Sequence, residues 1–265
     1  MHPIFFTLGP LTIRWYGVMA AIGFLLATLL ISMNRKRANM SDNQVSSLVF
    51  IAIICGVVGS RITYVLQNWS AQFSGNLLET FRIDHGGLVF YGGFFLAVGS
   101  IMIYCRKSKL DMVRVLDVFT PAMAMGHAMG RIGCFMNGCC YGNVTHSWFG
   151  VHYPEGTAPW LKYSGSPLHP VQLYETCGNI VLAAVMFMLL RRTRRGIPIA
   201  SYLTFYGILR FSDEFFRGDH NYNQLWLGTF TPAQTVGLLL IPAGICSLIY
   251  FARKNDKENN KTNDQ

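Results

Sequence analysis

Apolar stretches alternate with short polar or basic segments along most of the chain. A helix crossing a ~30 Å hydrocarbon core needs about 20 apolar residues. The pattern therefore predicts spans over Ile13–Met33, Val45–Leu66, Leu88–Cys105, Val115–Cys134, Val171–Leu190, Ala200–Phe216 and Ala233–Phe251. This is the outline of an all-α, polytopic membrane protein of about seven transmembrane helices, with a non-cytoplasmic head region between spans four and five. Residues 1–253 read as a single transmembrane domain with no internal repeat. Residues 254–265 are polar and free of aromatics, and predict a disordered cytoplasmic tail.

Composition agrees with the pattern. Of 265 residues, 51% are hydrophobic and only 13% charged, with a mean hydropathy of +0.31, too apolar for an ordinary soluble domain. Met1–Pro10 has no Lys or Arg and the basic cluster follows the first apolar stretch, so that span is expected to be a retained anchor rather than a cleaved signal.

Charge then sets a topology. Arg35, Lys36 and Arg37 follow the first span, and Arg106, Lys107, Lys109 and Arg114 lie between the third and fourth. Arg191, Arg192, Arg194 and Arg195 follow the fifth, and Arg253, Lys254, Lys257 and Lys261 mark the end. Lys/Arg excess marks cytoplasmic loops, so the C-terminus is predicted inside and the N-terminus outside. The net charge of +9 is accounted for by this asymmetry. It does not gather into the single patch that a nucleic-acid binder presents, so membrane lipids are the expected anionic partners and nucleic acid is not.

Polar groups inside spans face a bundle interior or an aqueous cavity, which selects the candidate chemistry. Arg61 follows Gly56, Gly59 and Ser60, small residues spaced for close helix approach. His127 and Arg131 stand four apart, on one helical face, and so do Arg210 and Glu214. The stretch Asp84–Gly93 carries two Gly-Gly pairs, which predict a broken helix beside a cavity, with His85 and Tyr91 as cavity groups, or else glycines that pack helices. Between spans four and five an aromatic loop holds Tyr141, His146, Trp148, His152, Tyr153, Trp160 and Tyr163, and ends in His169-Pro170-Val171-Gln172-Leu173-Tyr174-Glu175.

The segment Gly130-Arg131-Ile132-Gly133-Cys134-Phe135-Met136-Asn137-Gly138-Cys139-Cys140-Tyr141-Gly142 is the densest in chemistry. Its three cysteines face the compartment where disulfides persist. They allow a disulfide between Cys134 and Cys139, a metal site that lacks the usual C-x2-C spacing, a small polarisable lining of a pocket for an acceptor thiol, or simple packing. Cys55, Cys105, Cys177 and Cys246 read as core residues.

Taken with Trp15-Tyr16-Gly17, Gly86–Gly93, His169–Glu175 and Arg210–Arg217, this segment resembles the bacterial prolipoprotein diacylglyceryl transferases, in the same order over nearly the whole chain. The resemblance implies a seven-span enzyme of the bacterial inner membrane. Its reaction moves the diacylglyceryl group of phosphatidylglycerol to the lipobox cysteine of a prolipoprotein signal peptide, with release of glycerol phosphate. No metal or organic cofactor is implied. Tyr16, Arg131, Asn137, Gly142, Arg210 and Glu214 match family positions, Arg131 being the phosphatidylglycerol-binding arginine. Arg61 is a further candidate for that lipid. Arginine suits the phosphate because its planar fork stays charged and binds oxygens in pairs.

Three positions depart from the better-known signature G-R-x-G-N-F-x-N-x-E-x-x-G. Cys134 replaces its first Asn, Cys139 its Glu, and Tyr91 stands where a histidine is usual. The proton acceptor is then expected from His127 or from Tyr91. A diverged member with another lipid donor or acceptor is the nearest alternative. An anionic-lipid transporter would show broken spans in paired halves, and a thiol-redox protein a C-x-x-C motif; neither pattern is present in the sequence.

Overall fold

The computed structural model describes residues 3–9, 11–73, 79–80, 87, 89–219 and 230–263. Its helices are α1 (Trp15–Asn34), α2 (Asp42–Gln67), α3 (Phe90–Lys107), α4 (Met112–Asn137), the short α5 (Ala158–Tyr163), α6 (Val171–Arg192), α7 (Ile197–Asp213) and α8 (Pro232–Asn263). The seven long ones fall on the seven apolar stretches. By length and hydropathy, four segments among the described residues meet the demands of a membrane crossing: Trp15–Ala38, Asp42–Gln67, Val171–Arg192 and Pro232–Lys257. The other three helices fall short of the expected seven by that measure for visible reasons. Helix α7 has 17 residues, α3 carries Gly92-Gly93 in its first turn and ends in Arg106-Lys107, and α4 carries Arg114, Asp117 and Arg131.

The end at 254–265, expected to be disordered, is helical as far as Asn263. Lys254–Asn263 has no Pro or Gly to stop the helix, and its Lys and Glu residues are good helix formers. A two-stranded hairpin at the N-terminus, β1 (Ile4–Leu8) antiparallel to β2 (Leu11–Arg14), was not anticipated. Its Phe5, Phe6 and Leu8 are exposed, as are Leu25, Phe50 and Leu239 on the long helices. Such apolar surface is unfavourable in water and favourable against lipid.

The chain packs as two compact units. One is Ser32–Val115, and the other joins Met1–Ile31 to Leu116–Gln265.

In the first unit, a capping box starts α2: Gln44 N donates to Ser41 Oγ, and the Ser41 amide donates to the Gln44 side chain. Two such bonds satisfy donors that a helix start leaves unpaired. The paired glycines at 92–93 do not break α3, which runs on from Phe90. They let it lie directly on α2, since a Cβ on Gly59 would stand 2.5 Å from the Gly92 carbonyl oxygen and 2.8 Å from Leu96 Cβ. Residues 81–86 and 88, with His85 among them, lie outside the described residues.

In the second unit, Ala124 of α4, Leu182, Ala183 and Met186 of α6 and Tyr202 of α7 form a buried core. Pro121 sits inside α4 and cannot donate to the Asp117 carbonyl one turn back. Thr120 Oγ1 takes that carbonyl instead, at 2.8 Å. The Asp117 side chain reaches the start of α7, accepting from Gly196 N at 2.7 Å and Ile199 N at 3.0 Å. A buried carboxylate thus caps a helix whose first amides would otherwise be unpaired.

The aromatic loop between α4 and α6 is folded. Tyr141, Tyr153 and Leu168 make a small core joined by Val151 and Tyr163. Short backbone pairings, Val144 and Val151 with Leu168 and Gly142 with Arg217, hold the segment together.

Candidate active site

Glu175, in the first turns of α6, is the centre of a charged cluster that the sequence showed only in pieces. It is 1% exposed. Its Oε2 pairs with Arg131 Nε at 2.5 Å and lies 3.8 Å from His127 Nε2. Its Oε1 stands 3.7 Å from Arg210 Nη1 and has no hydrogen-bond partner among the described residues. One carboxylate therefore neutralises guanidiniums from two helices, α4 and α7, inside the unit. An isolated charge at that depth would cost several kcal/mol.

The pairs predicted from four-residue spacing are both made. Arg131 Nε donates to His127 Nε2 at 3.2 Å, and Arg210 Nη1 donates to Glu214 Oε2 at 2.7 Å. Glu214 Oε1 also accepts from Thr231 Oγ1 at 2.7 Å, and Arg217 Nη1 lies 3.6 Å from Glu214 Oε2. Arg217 in turn grips Asp219 with two nitrogens, at 3.0 and 2.8 Å. The cluster thus runs from His127 through Arg131, Glu175, Arg210 and Glu214 to Arg217.

The His127 contact bears on its expected role. With Nε2 accepting from Arg131, the proton of a neutral ring sits on Nδ1, and the nitrogen that a base would use is engaged. His127 also packs against the Tyr206 ring, 5.4 Å between centroids.

The glycine-rich segment opens beside this cluster. Helix α4 ends at Asn137, and Gly138 (φ +71) and Cys140 (φ +60) turn the chain back. The Gln172 side chain of α6 donates to the Cys139 carbonyl at 2.7 Å and shares two hydrogen bonds with the Tyr153 hydroxyl. Burial pushes the Tyr153 phenol up to about 12, with the Gln172 bond acting against it, so it stays protonated as a donor. The sulfurs of Cys134, Cys139 and Cys140 all lie within 4.8 Å of one another. Hydrogen bonds from Cys134 and Cys140 hold the Cys139 thiol well below the ordinary range; Asn137 and the Arg131 charge act the same way, and burial opposes them. Tyr16 packs its ring on Gly133, where a Cβ would meet its Cδ2 at 3.2 Å, and its phenol interacts electrostatically with the three cysteines and Arg131.

Gly142 has a steric reason to be glycine. Its amide donates to the His169 carbonyl at 3.0 Å, and a Cβ there would stand 2.5 Å from His169 Cβ and 2.8 Å from the Phe216 carbonyl oxygen. Overpacking of this kind costs about 1–3 kcal/mol. Gly142→Ala is expected to lower the melting temperature of the detergent-solubilised protein by roughly 2–12 °C, measured by thermal unfolding. An unchanged midpoint would mean that the crossing of chains at Gly142 yields easily.

Of the predicted residues, Tyr16, His127, Arg131, Asn137, Gly142, Arg210 and Glu214 belong to this unit. Arg61 and Tyr91 belong to the other. Arg61 there donates to the carbonyls of Thr80 (2.9 Å), Glu79 (2.6 Å) and Gly87 (3.2 Å), and stacks over Tyr64 and Phe73 at 5.5 Å. Tyr91 is half exposed beside Phe90.

Glu175 and Arg217 were not singled out from sequence. Glu175 had a signal, a carboxylate one turn into a predicted span.

The family model for prolipoprotein diacylglyceryl transferase matches residues 3–250. Proteins named phosphatidylglycerol–prolipoprotein diacylglyceryl transferase are similar over nearly full length. That of Finegoldia magna is 31% identical, over 98% of this chain and all of its own. That of Pseudoalteromonas atlantica is 34% identical, over 96% of this chain and 91% of its own, and that of Clostridium kluyveri is 30% identical, over 95% and 97%. The order of the matching motifs, the apolar helices and the match from end to end agree, and this chain belongs to the prolipoprotein diacylglyceryl transferase family.

Proposed function

We propose that the protein transfers the diacylglyceryl group of phosphatidylglycerol to the cysteine thiol of a prolipoprotein signal peptide, forming a thioether and releasing glycerol phosphate. The observation that carries this reading beyond family membership is the buried Arg131–Glu175–Arg210 cluster opening onto the loop 138–142. A phosphate ester leaving a carbon centre develops charge on its oxygen, and fixed guanidiniums in a dry site stabilise that charge strongly. Glu175 holds the two arginines in register before substrate arrives, so no reorganisation is needed at the moment of reaction.

In this reading Arg131 and Arg210 take the donor phosphate, with Glu214 and Arg217 orienting Arg210. Tyr16 and Asn137 border the reacting groups, and Gly142 fixes the turn. Arg61 and Tyr91 of the other unit belong to the same proposal, Arg61 as a cation for the lipid donor and Tyr91 as a proton acceptor. The protein sits in the bacterial inner membrane and crosses it seven times, N-terminus outside and C-terminus in the cytoplasm. The alternation of basic segments supports that orientation.

The test is direct. Purified protein given phosphatidylglycerol labelled in its acyl chains is expected to label a peptide bearing a lipobox cysteine. Label that persists when the peptide cysteine becomes serine would contradict a thioether. Cys134, Cys139 and Tyr91 favour a second reading, a family member with a changed donor or acceptor; label moving from another anionic phospholipid in preference would establish it.

Because Nε2 of His127 serves Arg131, His127→Gln is expected to keep turnover within a few-fold, the amide oxygen accepting the same bond. Its pH–rate profile should match the parent's. Loss of an ionisation from that profile would instead make His127 the base.

A further inference from the structure

The cluster that the charged network leaves unexplained is the trio Cys134, Cys139 and Cys140. All three thiols are free and partly buried, with their sulfurs within 4.8 Å of one another. Cys134 projects from the last turn of α4 while the other two come from the loop that folds back over it. The return needs left-handed backbone at Gly138 and, unusually for a residue with a side chain, at Cys140, φ +60. At Cys140 that conformation costs of order 1–3 kcal/mol, and strain of this kind clusters at active sites and ligand clamps. The result is a three-sulfur face.

We propose that Cys134, Cys139 and Cys140 form a three-thiolate site for zinc whose fourth position is taken by the acceptor thiol. Zn–S bonds of ~2.3 Å in a tetrahedron place sulfurs about 3.8 Å apart, so the trio needs to close by no more than about 1 Å. Three protein ligands with one open position is the arrangement of catalytic rather than structural zinc. Three thiolates and a dication leave one net negative charge, and the Arg131 guanidinium already interacts with all three cysteines. Asn137, hydrogen-bonded to Cys139, would orient one ligand from outside the first ring of contacts.

The site would supply a deprotonated acceptor directly. The transfer needs a thiolate, and the nitrogen of His127 is engaged by Arg131. A thiol that binds zinc is deprotonated outright, its proton passing to water. The bound sulfur attacks the glycerol carbon that carries the phosphate; the S–C bond forms as the C–O bond breaks, and the electron pair leaves with glycerol phosphate. The product thioether carries no charge, binds zinc weakly and departs. Nothing is oxidised or reduced.

This assignment rests on the proposed transfer only for its role, so cobalt gives a test that does not need turnover. Reduced, full-length protein titrated with Co2+ is expected to develop a thiolate-to-metal charge-transfer band that saturates at one equivalent. Cys139→Ser should remove most of that band, and Asn137→Ala should weaken cobalt binding about 10–100-fold. Thermal unfolding of each metal-free variant checks that it is folded. A lipobox peptide should perturb the band, and its serine version should not. Chelation should abolish label transfer from phosphatidylglycerol, and zinc should restore it.

Absence of a stoichiometric band in reduced parent protein would overturn the site. A band indifferent to the peptide thiol, or transfer indifferent to chelation, would overturn its role. A band that responds to the peptide in a protein that transfers nothing from phosphatidylglycerol would sink the proposed donor while the metal site stands.

Discussion

Replacing Arg131 by alanine is expected to cut diacylglyceryl transfer at least about 100-fold, the scale seen when one preorganised donor to developing charge is removed. Arg131 serves three groups. It donates to His127, pairs with Glu175 and stands next to the cysteine loop. Arg131→Lys should recover little of the loss, because an ammonium lacks the planar fork that can hold a carboxylate on one edge and a phosphate on another. The measurement is label transfer from acyl-labelled phosphatidylglycerol under saturating peptide, with unfolding temperature as the control for a collapsed site. Alanine at near-parental rate would remove Arg131 from the reaction altogether.

The second large effect is on stability. Glu175→Ala leaves Arg131 and Arg210 buried without the carboxylate between them, and breaking a buried pair by removing one partner costs about 3–5 kcal/mol. For a chain of this size that corresponds to a fall of roughly 6–20 °C in the unfolding midpoint. Removing both partners relieves the stranded charge, so Arg131→Ala combined with Glu175→Ala should unfold at a higher temperature than Glu175→Ala alone. Residues in one network are expected to be non-additive in this way. Additive losses would mean that the two side chains contribute separately and that the cluster is not held by charge.

The helices were legible because their signal is local. Apolar length located all seven long ones, and four-residue spacing found both the His127–Arg131 and the Arg210–Glu214 contacts. What that spacing could not report is direction: that Arg131 donates to the lone pair of His127 depends on rotamers. Glu175 was missed as the hub because its partners lie on other helices, far off in sequence. The same holds for Asp117, whose place at the start of α7 is set by tertiary packing. The glycines at 92–93 were ambiguous for a physical reason, since the missing side chain serves equally for a break or for close packing. The convergence of the cysteines was hidden because it depends on backbone torsions at Gly138 and Cys140. Arg61 was legible as a cation at depth, but its bonds to the carbonyls of Glu79, Thr80 and Gly87 were not, because those partners lie 18 to 26 residues away.

Asp117 has one more implication. It and Arg131 are fourteen residues apart on α4, and Gly196, which it caps, is fourteen residues before Arg210. At 1.5 Å per residue both intervals are about 21 Å. The helices are thus tied like the rails of a ladder, one rung at Asp117 and the other at Glu175, with equal lengths between. A one-residue insertion in either rail would turn its arginine by about 100° and lengthen that rail by about 1.5 Å, breaking the upper rung while the lower one holds. Insertions between these rungs should therefore be tolerated only in pairs, one in each helix.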